Sequence, residues 1–152
     1  MDQVLHCTRR GGALVAGLLA VAVLTTTADA VLHATGVFPP AGEPMADRLW
    51  ALAVAYRFVF GVVGGHLTAT LAPDRPLAHA VVLGAIGFLF SIGGAAVAWD
   101  RGPGFGPAWY SLAVIAVALP GAWIGGQLAC GDIDGLGPGT NRNEAERGGQ
   151  RR

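Results

Sequence analysis

No lysine occurs in the chain; its ten basic residues are all arginine, and ten acidic residues balance them. Only 13% of the residues are charged, and the net charge is zero. Such a chain has neither a positive field for nucleic acid nor a polybasic patch for a lipid surface, so neither partner is expected. Cysteine is equally scarce. Cys7 and Cys130 lie at the expected cytoplasmic ends of the first and last helices, where thiols stay reduced, and no structural disulfide is expected. Catalytic signatures are missing: there is no G-x-S-x-G, no H-E-x-x-H and no phosphate loop. No catalytic residue and no cofactor are therefore assigned, and the chain reads as a non-enzyme.

What the chain has instead is apolar length. Residues 13–37, 49–71, 77–99 and 108–130 are four mostly apolar stretches, each near the 20 residues or so that cross a bilayer as a helix. They are apolar almost all round, unlike the helices of a soluble domain. Breakers separate them. Phe38-Pro39-Pro40-Ala41-Gly42-Glu43-Pro44 ends the first, and Asp47 offers an N-cap for the second. Pro73-Asp74-Arg75-Pro76 is a tight turn, and Pro107 sits at a helix start. The expected fold is all-α: a four-helix transmembrane bundle spanning residues 13–130. Residues 1–12 form a cytoplasmic N-terminus and 131–152 a disordered tail rich in Gly, Asn, Glu and Arg.

Orientation follows from arginine placement. With the N-terminus inside, Arg9, Arg10, Arg75 and the tail arginines 142, 147, 151 and 152 are cytoplasmic, and only Arg48 and Arg101 are outside. The expected location is therefore the inner (plasma) membrane with both termini cytoplasmic. Trp50, Trp99, Trp109 and Tyr110 then form an aromatic belt at the outer boundary. A competing reading takes Arg9-Arg10, the apolar run to Leu24 and Ala28-Asp29-Ala30 as a cleavable signal. Apolar character resumes at Val31 and continues to Phe38, which favours one spanning helix.

Two charges fall inside the spans. Asp29 and Arg57 are equidistant in sequence from the turn at Glu43, so in an antiparallel hairpin they reach the same depth, slightly outside the midplane. Thr25, Asp29 and His33 recur at i, i+4, i+8 on one face, and Arg57, Gly61, Gly65 and Thr68 share a face of the second helix. The glycines there let a neighbouring backbone approach. Either the pair is a clamp that fixes hairpin register, or it is a proton or ion site continued by Thr25, His33 and His66. Both readings stay open on the sequence alone.

Further packing surfaces are Gly84 and Gly87 on the third span and Gly121-x-x-x-Gly125 on the fourth; they serve the bundle or a homo-oligomer. The second and fourth spans also resemble each other at an offset of sixty residues. Leu52-Ala53-Val54 through Gly61, Gly64 and Gly65 resembles Leu112-Ala113-Val114 through Gly121, Gly125 and Gly126 with a one-residue slip near the glycines, which reads either as two repeated helical hairpins or as the chance likeness of Ala/Gly/Val-rich helices. Metal is not expected. His33 and His66 differ in depth, and no H-x-x-x-H or C-x-x-C spacing joins His6, Cys7, His66, His79 and Cys130.

The runs Thr27 to Pro40 and Tyr56-Arg57-Phe58 through Gly64-Gly65-His66-Leu67-Thr68-Ala69 resemble those of uncharacterised small four-span bacterial integral membrane proteins. The resemblance covers the spans, not the tail, and implies no activity. The expected role is a non-enzymatic protein packing with itself or a membrane partner within the lipid bilayer. The alternative is a small transporter or proton-handling subunit built on Asp29 and Arg57.

Overall fold

The computed structural model describes residues 2–40, 42–99 and 101–135. It is all-α: α1 (Asp2–Ala34), α2 (Asp47–Leu71), α3 (Pro76–Ala98) and α4 (Ala108–Gly135), with a single 3-10 turn, Pro103–Phe105, before α4. Within these helices Arg10–Ala34, Asp47–Leu71, Pro76–Ala98 and Ala108–Asp132 are each long and apolar enough to cross a membrane. At a rise of about 1.5 Å per residue, 25 residues cover about 37 Å, more than a hydrocarbon core of about 30 Å.

Helix ends depart from the sequence expectation in four places. Helix α1 begins at Asp2, so the segment expected to precede the span continues it as helix. It stops at Ala34 rather than Val37. Thr35 Oγ1 donates to Val31 O at 2.8 Å, Gly36 turns left-handed (φ 74°), and Phe38 N–H returns to Leu32 O at 3.0 Å. Phe38 is buried by this return, so it serves the cap and not the span. Asp47 is the first helical residue of α2, and the N-cap is Ala46, extended and without a side-chain cap. The Asp47 carboxylate instead complements the helix dipole and accepts a hydrogen bond from Trp109 Nε1 at 3.4 Å. Helix α4 runs on to Gly135, because one more turn adds backbone hydrogen bonds without a new nucleus. The rest of the expected tail, 136–152, lies outside the described residues.

The chain's up-down connectivity makes α2 and α4 parallel to each other and antiparallel to α1 and α3. Helix α2 is the hub: it packs on α4, α1 and α3, while α4 also packs on α3 and α1 reaches α3. Apart from Phe38 and Leu83, buried positions belong to small residues, with Ala53, Ala69, Ala80, Ala122 and Ala129 almost inaccessible. Large apolar side chains point out; Leu89 and Phe90 are 66% and 74% exposed. A water-soluble bundle does the reverse.

Glycines set how closely the helices approach. Gly61 lies beside the Gly121 Cα, 3.8 Å from where a methyl on Gly61 would sit. A methyl on Gly65 would overlap the Ala122 backbone, and one on Gly125 would overlap Val62 O. These contacts are reciprocal at the sixty-residue offset: 65 meets 122 as 125 meets 62. Two parallel helices related by a local two-fold axis meet in this way. The hairpins as wholes are unequal, since α3 packs on both α2 and α4 while α1 leans mainly on α2.

The expected packing glycines differ in what they meet. Gly61 and Gly65 face α4. Steps of four residues drift by about 40° around a helix, whereas Arg57, Gly64 and Thr68 stay within about 40° of one another and line the α1 side. There Gly17 and Gly64 abut, and Thr68 is fully buried against Gly17. Gly84 does pack, against Leu119 and Ala122, but Gly87 meets nothing within 4 Å and opens into a cavity.

Two substitutions to alanine should therefore separate cleanly. Gly125→Ala forces α2 and α4 apart and should cost about 1–3 kcal/mol. Gly87→Ala meets open space and gains helix propensity, so it should be neutral or stabilising. Thermal unfolding midpoints of the two variants in one detergent check both.

Candidate functional site

Asp29 reaches across from α1 to α2 within a three-membered network. Arg57 Nη2 donates to Asp29 Oδ2 at 2.9 Å. The Tyr56 hydroxyl donates to Asp29 Oδ1 in a short bond and accepts from Arg57 Nη1 at 2.8 Å. Arg57 Nη1 also lies 3.3 Å from Ala53 O, one turn back on its own helix. Carboxylate, phenol and guanidinium thus close on one another. Charge-assisted bonds of this kind are the stronger class. Around them, the Arg57 Cζ sits 5.1 Å from the Tyr56 ring centre and 5.8 Å from that of Tyr110, and Trp50 rests on Tyr110 at 4.6 Å. Three helices therefore hold one guanidinium.

The pair is also closer to a helix end than the sequence suggested. Because α1 stops at Ala34, Asp29 is only five residues from its end. The two side chains keep 33% (Asp29) and 23% (Arg57) of their surface accessible. Charges so placed cost less than charges at the centre of a bilayer.

Two spaces flank the network. On the side of the α1–α2 and α3–α4 connections is a pocket of about 440 Å³, lined by Asp29, His33, Trp50, Tyr56, Arg57 and Tyr110 among others. Deeper in the bundle is a mostly apolar cavity of about 570 Å³, lined by Thr25, Gly61, Leu83, Gly87 and Ser91 among others. Arg57 borders both.

The predicted residues divide between these spaces. His33 lines the outer pocket, and its Nδ1 lies 2.7 Å from Pro39 O. A carbonyl only accepts, so Nδ1 carries the proton there. The ring also meets Phe38 edge-on at 5.5 Å. Thr25 lies on the cavity side. His66 is half-buried beside Gly125 and lines neither of these two spaces. No group of three or more His, Cys, Asp or Glu that could hold a metal occurs among the described residues.

Sequence reasoning gave Tyr56 no role and placed Tyr110 only in an aromatic belt, because hydroxyls and rings carry no charge to draw notice. It also missed a second ion pair, for which a signal existed. Arg10 Nε and Nη2 donate to Asp74 Oδ1 and Oδ2 at 3.0 and 2.6 Å. Asp29 and Arg57 are centred on residue 43, and Arg10 and Asp74 on residue 42, so the depth rule that pairs the first two pairs the second. The two clamps are about 28 Å apart along α1 at about 1.5 Å per residue, close to the thickness of a hydrocarbon core. Comparison with protein-family models, curated proteins and solved structures finds no match to the chain.

Removing the one hydroxyl tests the network. Tyr56→Phe leaves Asp29 Oδ1 without its donor and Arg57 Nη1 with only the longer contact to Ala53 O, and should cost about 1–3 kcal/mol. Tyr110→Phe removes no hydrogen bond of the network and should change stability far less. Denaturant or thermal unfolding of both variants in detergent gives the comparison.

Proposed function

We propose that this chain is a multi-pass protein of the bacterial inner membrane, with both termini cytoplasmic. In this reading it is not an enzyme; it packs and binds, with itself or a membrane partner. The observation that carries it is the closure of Asp29, Tyr56 and Arg57 on one another across α1 and α2. A carboxylate with a donor on each oxygen is built as a clamp rather than as a free base. The outward Leu and Phe side chains support insertion, and the arginine distribution supports the orientation.

A second reading is a small transporter or proton-handling subunit. One observation favours it: Arg57 borders both the outer pocket and the deeper cavity, as a barrier between two compartments would. Thr25 and His33 lie on either side of that barrier.

Topology is checked with reporter fusions. Fusions after Gly42 and Gly104 should report outside, and one after Asp74 inside. A mature N-terminus at Val31 would show instead that the first segment is a cleaved signal.

The clamp is checked with a double-mutant cycle. Asp29→Asn or Arg57→Gln alone should destabilise by about 3–5 kcal/mol if the site is dry, and less in proportion to its access to water. The double variant should recover most of the loss; additive losses would mean that the residues do not interact. A stable double variant that fully complements a gene deletion fits the clamp. A folded double variant with the deletion phenotype fits proton or ion handling.

A further inference from the structure

The outer pocket has the size and chemistry of a ligand site, and neither clamp nor orientation accounts for that. Its volume of about 440 Å³ lies within the range of about 300–1,000 Å³ typical of small-molecule sites. Phe38 walls it from the α1–α2 connection, Trp50 and Tyr56 from α2, and Tyr110 from α4. Its roof is fixed: the α1–α2 connection rests on the 3-10 turn, where a methyl on Gly104 would overlap Gly42 O.

The pocket's charges do not cancel. Arg57 is neutralised by Asp29 at 2.9 Å. Glu43 also lines the pocket, and its carboxylate has no hydrogen-bond or ion-pair partner among the described residues. Asp29, Glu43 and Arg57 together give the lining one net negative charge. Its rings already receive a cation, since the Arg57 guanidinium lies over Tyr56 and Tyr110. Aromatic faces beside a carboxylate suit an organic cation with an apolar body.

We propose that this pocket binds a monovalent organic cation, an amine or quaternary ammonium, with Glu43 as counter-charge and Trp50 and Tyr110 as walls. An organic anion fits poorly. It would meet two carboxylates, while the Arg57 donors are directed at Asp29, Tyr56 and Ala53. A metal ion fits no better, because three liganding groups do not converge among the described residues. The proposal takes the Asp29–Arg57 contact as its charge balance, and its test leaves both residues unaltered.

The test is calorimetric titration of the purified full chain, in an uncharged detergent, with benzyltrimethylammonium. Neopentylbenzene, its neutral carbon isostere, controls for hydrophobic partition, and benzenesulfonate controls for charge sign. Saturable binding of the cation alone is the expected result. Glu43→Gln should weaken it about tenfold at an unchanged melting temperature, since Glu43 is exposed on a loop. Trp50→Leu should weaken it as well, independently of Glu43. The proposal is overturned if the cation does not saturate, if the neutral isostere or the sulfonate binds as well, or if Glu43→Gln leaves affinity unchanged.

Discussion

Helices surrounded by lipid gain little from hiding apolar surface, because lipid tails are as apolar as leucine. Association then depends on how closely backbones approach, and in this bundle that is settled between α2 and α4. Gly61, Gly65, Gly121 and Gly125 remove the side chains that would hold the two helices apart. The parallel pair that results gives α3 a groove to enter, through Gly84 against Leu119 and Ala122 and through Gly126 against Ala80. Helix α1 does not enter that arrangement in the same way. It leans on α2 through Gly17 and Gly64 and has the smallest share of the packing.

The placement of charge follows from that weakness. Both ion pairs join α1 to the α2 side of the bundle, one near each end of the apolar part of α1. Arg10 and Asp74 are largely exposed, and a pair of that kind contributes at most about 1 kcal/mol. Asp29 and Arg57 are less exposed and share a third partner, so breaking that contact leaves a charge with few alternatives. A helix that cannot rely on glycine contacts along its length is thus pinned in depth and rotation by two polar contacts. The closer it lies to lipid, the more such pinning matters.

Much of this was legible in the sequence, and the reasons are specific. Four apolar stretches with Pro- and Gly-rich breaks determine four helices, because no other element satisfies its backbone within hydrocarbon. Equal distance from a turn paired Asp29 with Arg57, since antiparallel helices have a common rise. Facing was harder to read. Gly61 and Gly65 share a helical quadrant with Arg57, and only tertiary contact assigns them to α4 while Arg57 bends toward α1. The end of α1 was misread because Val37 and Phe38 are as apolar as the span, yet the left-handed turn at Gly36 folds them back over the helix end. Tyr56 escaped notice because a neighbouring residue on a helix points about 100° away, and only a long phenol reaches around to the carboxylate.

The boundary drawn by the Arg57 layer ties these pieces together. On its loop side the pocket has carboxylates, a histidine and aromatic rings; on its other side the cavity has mostly aliphatic walls. The one serine on that deeper side returns its hydroxyl to its own helix, with Ser91 Oγ donating to Gly87 O at 2.8 Å. Ser91 therefore satisfies itself locally, while the polar groups above the layer converge on a shared space; the Thr68 hydroxyl, farther along α2 against Gly17, is the buried exception. That division is what a helix bundle needs where a wet end gives way to a dry middle, because an unsatisfied polar group in hydrocarbon costs several kcal/mol. Asp29 and Arg57 stand at the changeover, deep enough for their attraction to be strong and shallow enough for their charges to be tolerated.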